Sequence, residues 1–98
     1  MKTKYTDNKL AEEFDLIVLI NGAHKKIGLP EGSLGTLTAS YEGRDIPLYA
    51  DFQGEDGSHF EASVALDDFR VLDVKNAVDL SLVTQYLRKL QKLSGGVV

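Results

Sequence analysis

Apolar and polar residues alternate with a period of two through most of residues 34–66, as in strands with one face on a core. Residues 34–42 place Leu37, Ala39 and Tyr41 on one side and Thr36, Thr38 and Ser40 on the other. Residues 46–52 place Ile46, Leu48, Ala50 and Phe52 inward, with Pro47, Tyr49 and Asp51 outward. Pro47 donates no ladder hydrogen bond, which predicts a strand that starts at an edge or beside a bulge. Residues 59–66 turn Phe60, Ala62, Val64 and Leu66 inward and His59, Glu61, Ser63 and Ala65 outward. Turns are expected at Glu42-Gly43-Arg44-Asp45 and at Gly54-Glu55-Asp56-Gly57, where Asp-Gly favours a two-residue hairpin loop.

Residues 14–21, FDLIVLIN, form the strongest strand signal but do not alternate cleanly. Phe14, Leu16, Val18 and Ile20 share the face expected to meet the core, and Ile17 and Leu19 load the other. A strand apolar on both faces has to be covered on both. A long loop over residues 22–35 follows, with a turn at Pro30-Glu31-Gly32. Asp67-Asp68-Phe69 reads as one helical turn and residues 70–73 as a short closing strand.

The period changes to that of a helix over residues 76–93. Leu80, Val83, Leu87 and Leu90 form a stripe, with Leu82, Tyr86 and Leu93 in an adjacent row. Asp79 or Ser81 is the expected N-cap and Gly95 the expected C-terminal cap. The stripe and the two-faced first strand call for the same solution, a helix over Ile17 and Leu19. On that packing Leu87→Asp is expected to unfold the domain. The same stripe also offers a seam for a homodimer through the C-terminal helix.

The expected organisation is therefore a semi-ordered lead-in over 1–13, with one helical turn packed through Leu10. A five-stranded unit over 14–75, its helix over 76–93 and a tail over 94–98 follow. Five strands joined by hairpins after a long loop predict a mainly β fold, a five-stranded SH3-like barrel with the helix packed outside. Gly32-Ser-Leu-Gly35-Thr36-Leu37 and Asp68-Phe69-Arg70-Val71-Leu72 then carry a resemblance. Residues 14–73 resemble the small bacterial SH3-like barrels of the KOW type, in which a Gly-x-x-Gly-Thr turn leads into the second strand. The resemblance implies the barrel and, as one role among several, RNA or ribosome association. The basic residues that serve that role in KOW proteins are mostly absent from the strands here.

Charge sharpens this. The net charge is −4, but residues 42–73 carry nine acidic residues against Arg44 and Arg70. Residues 75–98 carry Lys75, Arg88, Lys89 and Lys92 against Asp79. Phosphate backbones need a basic face, so nucleic acid is disfavoured as a partner of the hairpins. The 98-residue chain has no cysteine, which excludes disulfides, thiolate metal sites and Cys nucleophiles. Its longest apolar run, residues 16–20, is far short of the roughly 20 residues a membrane helix needs. Basic residues near the start have no apolar run behind them, so a cytoplasmic protein without membrane association is expected.

Candidate chemistry is sparse. His24 reads as a solvated loop histidine. Asp51, Glu55, Asp56 and His59 form the one cluster with metal-ligand chemistry, but Asp56 and Ala62 stand where a calcium loop needs Gly and Glu. Gly28, Gly32 and Gly35 lack the Gly-Lys-Ser/Thr ending and the helix of a phosphate cradle. Ser58 and His59 are sequence neighbours on opposite faces of a strand, the wrong geometry for a nucleophile and its base. No catalytic residue, cofactor or metal is expected. The candidate site is instead a partner-binding face of Tyr49, Asp51, Glu42, Asp45, Glu61 and Thr38. It suits a basic protein partner, as in an adaptor, an accessory subunit or an immunity-like antagonist. The alternative is a KOW-type RNA module using Lys25, Lys26, Arg88, Lys89 and Lys92.

Overall fold

The computed structural model describes residues 3–39, 48–53 and 58–94. Among these residues five strands are present: β1 (Leu16–Leu19), β2 (Leu34–Leu37), β3 (Leu48–Gln53), β4 (His59–Val64) and β5 (Phe69–Val71). A single helix, α1 (Ala77–Ser94), ends the described chain. All strand pairs are antiparallel, in the order β4-β3-β2-β1-β5. The sheet is unclosed among the described residues, with β4 and β5 at its two edges. The expected strands at Tyr41, Ile46 and Pro47, both hairpin tips and the Gly95 cap lie outside the described residues.

Register sorts the side chains onto two faces. One row runs Val71, Ile17, Gly35, Phe52 and Phe60 across all five strands. Beside it lie Leu19 with Phe69, Leu37 with Ala50 and Ala62, and Leu48 with Val64. These residues build the main core, where Phe52, Phe69, Ile17, Leu19 and Leu37 are fully buried. Each such side chain contributes about 1.5–3 kcal/mol by leaving water. The described inward positions expected in β3 are the buried ones, and in β4 Ala62 and Val64 are buried while Phe60 packs half-buried against the core.

The opposite face carries a smaller core: Val18, Leu72 and Val83, with Leu16, Leu34 and Leu82 packed against it. Here the structure corrects the sequence reading. The helix lies over Leu16 and Val18, while Ile17 and Leu19 belong to the main core. Two neighbours decide the parity. Ile17 stands opposite Gly35, whose missing side chain leaves room for the Phe52 ring. A Cβ built on Gly35 falls 2.6 Å from two atoms of that ring. On the other face Arg70, paired in register with Val18, reaches the helix at Asp79. Phe14 does not extend the alternation either. It has φ +73° and is 76% exposed, and its N–H donates to the Leu37 carbonyl at 2.8 Å.

The helix start also differs from expectation. Asn76 Oδ1 accepts the N–H groups of Val78 at 2.9 Å and Asp79 at 3.2 Å, so Asn76 is the N-cap. The helix presents Leu82, Val83 and Tyr86 to the sheet, leaving Leu80 and Leu87 about half exposed. The side chains of Leu90 and Leu93 lie outside those described.

Outside the sheet, residues 3–13 lie against the main core. Tyr5 packs there and Ala11 is buried, whereas Leu10 is exposed. A 3₁₀ turn at Asn8–Leu10 is capped by Asp7. The Asn8 amide donates to the carbonyls of Leu66 and Phe69, both at 2.6 Å. At residues 65–68 the Asp68 N–H donates to the Ala65 carbonyl, closing a turn from which Phe69 enters β5.

Candidate interaction face

The helix covers only part of the outer face of the sheet. A row on that face runs Leu16, Thr36, Asp51 and Glu61 across β1 to β4. At its β1 end Leu16 packs in the smaller core. In the middle, the half-buried Tyr86 phenol lies beside the Thr36 side chain. Burial, and after it the charge of Asp51, pushes the Tyr86 pKa up against the opposing effect of Thr36. At its β4 end Glu61 is exposed. The row passes from helix-covered to open at Asp51.

Asp51 and Glu61 are directly opposed on adjacent strands, a like-charge cross-strand pair of a kind that disfavours strand pairing. Asp51 Oδ2 is 3.4 Å from His59 Nδ1, so a third group of the same face meets this carboxylate. Tyr49 pairs with Ser63 in the next row and is 48% exposed. Thr38 donates both its N–H and its hydroxyl to the Tyr49 carbonyl, each at 3.1 Å. Thr38, Tyr49, Asp51 and Glu61 thus occupy neighbouring positions on one surface. Glu42 and Asp45 lie outside the described residues.

His24 departs from the solvated loop histidine of the sequence reading. Its Nε2 lies 3.2 Å from Asp68 Oδ2, and both side chains are mostly buried. Asp68 also accepts the Ala65 N–H at 3.0 Å and the Asn21 amide at 3.1 Å. Burial pushes the Asp68 carboxyl up, but these donors and the His24 ring outweigh it and hold the pKa below the usual range. The cluster ties the loop after β1 to the turn before β5. The two residues stand 44 positions apart, and no local pattern in the sequence joins them.

The other cross-link missed in the sequence is Arg70 with Asp79. Two guanidinium nitrogens meet the two carboxylate oxygens at 2.7 and 2.9 Å. Asp79 Oδ2 also accepts the Asp73 N–H at 2.8 Å. Among the described residues no three metal-ligating side chains converge, and no helix is long and apolar enough to cross a membrane. Comparison with protein-family models, curated proteins and solved structures gives no match.

Proposed function

We propose that this protein is a non-catalytic interaction module whose open outer face, at Thr38, Tyr49, Asp51 and Glu61, receives a basic protein. The observation that carries the reading is the direct opposition of Asp51 and Glu61 beside a half-exposed Tyr49. Local charge conflict of this kind lowers stability, and proteins retain such conflicts mainly where function uses them. A Lys or Arg from a partner relieves the repulsion, and Tyr49 supplies an apolar contact with a polar tip. Adaptor, accessory-subunit and immunity-like antagonist roles all use a surface of this kind. The strand order β4-β3-β2-β1-β5 supports assigning the sheet to the SH3-like barrels, in which the last strand lies beside the first.

Affinity capture from a lysate with wild-type protein and with Asp51→Lys/Glu61→Lys tests the reading. Wild type is expected to retain a set of basic proteins whose yield falls steeply with added salt. The double variant is expected to lose at least about tenfold of that yield. Equal retention by both, or retention dominated by RNA, overturns it.

A further inference from the structure

The two edges of the sheet are finished differently. At one edge β5 has only three residues, and the Asn8 amide donates to its Phe69 carbonyl at 2.6 Å. At the other, β4 runs six residues in unbroken register with β3, its one strand partner among the described residues.

Register decides which main-chain groups of β4 point outward. The Thr38 N–H donates to the Tyr49 carbonyl, so Tyr49 and Asp51 turn their main-chain groups toward β2. Leu48, Ala50 and Phe52 then face β4, and their partners Val64, Ala62 and Phe60 face back. The N–H and C=O groups of His59, Glu61 and Ser63 therefore line the outer edge, and all three residues are exposed. The edge ends at Ala65, whose N–H donates to Asp68 Oδ2 and whose carbonyl accepts the Asp68 N–H, both at 3.0 Å. A straight edge of this kind is a template for a further strand.

The side chains beside the edge select what pairs there. On the outer face Glu61 ends the row that runs through Asp51, so an added strand carries a Lys or Arg opposite it. On the inner face Phe60 is half-buried against the main core, and an apolar residue of the added strand covers it. A second copy of β4 would bring a second Asp51–Glu61 pair to the same face, which disfavours self-pairing.

We propose that β4 binds an extended basic segment of a partner protein by antiparallel strand addition. A Lys or Arg stands opposite Glu61, with apolar residues on either side of it in the segment. The inference rests on the function proposed above and specifies how the basic partner is held, through the main chain of His59, Glu61 and Ser63.

Nuclear magnetic resonance titration of the full chain with the acetylated, amidated peptide Thr-Val-Lys-Val-Lys-Val-Thr tests it. Binding is expected to saturate at about 0.1–1 mM and to move the Glu61 and Ser63 amide protons downfield as they gain hydrogen bonds. In the antiparallel pairing the lysine main-chain N–H groups face β4 and the valine ones face away. N-methylation of both lysine main-chain nitrogens should weaken binding at least about tenfold, and N-methylation of the valines less than about threefold. Glutamate in place of lysine should cost at least about tenfold. Because the Ser63 N–H points outward, Ser63→Pro breaks no bond to β3, and it should weaken the peptide about fivefold. No saturable shift up to about 10 mM, no selective loss on methylating the lysines, or equal binding of the glutamate peptide overturns the proposal. So does a dimer of the free protein that Ser63→Pro dissolves. Undiminished capture of basic proteins from a lysate by Ser63→Pro also overturns it, while a loss confined to Asp51→Lys/Glu61→Lys leaves the contact face standing.

Discussion

Arg70 and Asp79 join β5 to the first turn of α1 through a two-pronged ion pair, with nitrogen–oxygen distances of 2.7 and 2.9 Å. Asp79 is 3% exposed, and its carboxylate also receives the Asp73 N–H. At the third helical position it suits the positive end of the helix dipole as well. One side chain therefore fixes both which sheet face the helix covers and how the helix is rolled.

Replacing Asp79 with Ala leaves Arg70 and the Asp73 N–H without their acceptor. Loss of one partner from a buried pair costs about 3–5 kcal/mol. The Arg70 side chain is 42% exposed and regains water, so a loss of about 2–3 kcal/mol is expected. Urea denaturation of the two proteins measures it.

Acid should weaken the fold through the same group. Hydrogen bonding from Arg70 holds the Asp79 carboxyl below its ordinary 3.8, against the opposing effect of burial. Asp68 is shifted in the same direction. A carboxyl with a depressed folded pKa binds protons more readily in the unfolded chain. Its contribution is therefore complete above 3.8 and is lost as pH falls below that value toward the folded pKa. Denaturation midpoints measured from neutral pH downward should decline there, and less steeply in Asp79→Asn.

Gly35 is constrained by Phe52 rather than by a turn. Gly35→Ala forces the Phe52 ring out of contact with the β2 backbone, an overpacking expected to cost about 1–3 kcal/mol. Adding Phe52→Leu clears the ring edge. The double variant should lose less than the sum of the singles by at least about 0.5 kcal/mol. Additive losses would mean that the two positions do not meet.

The roll of α1 separates two leucine-to-aspartate intuitions. Val83 is buried between Val18 and Leu72, and Val83→Asp should cost more than about 3 kcal/mol by burying an unpaired charge. Leu87 is half exposed. Leu87→Asp should therefore change stability by no more than about 0.5 kcal/mol, instead of unfolding the domain as the sequence pattern predicts. Circular dichroism melts of both variants distinguish the two packings.

The contrast between β3 and β1 marks how far the sequence could be read. In β3, Leu48, Ala50 and Phe52 alternate with Tyr49 and Asp51, so periodicity alone identifies both the buried and the open face. In β1 both faces are apolar, and the choice falls to Gly35 and Arg70, residues distant in sequence. The helix is equally ambiguous, because its leucines define two adjacent rows. Asp79 selects the inward row by pairing with Arg70, and that leaves Asn76 to cap. That Thr38, Tyr49, Asp51 and Glu61 share the outer face was legible because they lie on strands with clean alternation. The His24–Asp68 clamp was not, because long-range pairing of a loop and a turn leaves no local periodicity.

The most direct test of the proposed contact face is site-specific photo-crosslinking with benzoylphenylalanine at position 49, and at position 78 as an exposed control on α1. Cross-links to basic proteins at position 49, lost with Asp51→Lys/Glu61→Lys and absent at position 78, are the expected result. Equal cross-linking at both positions, or adducts at position 49 that survive the charge reversal, would contradict it.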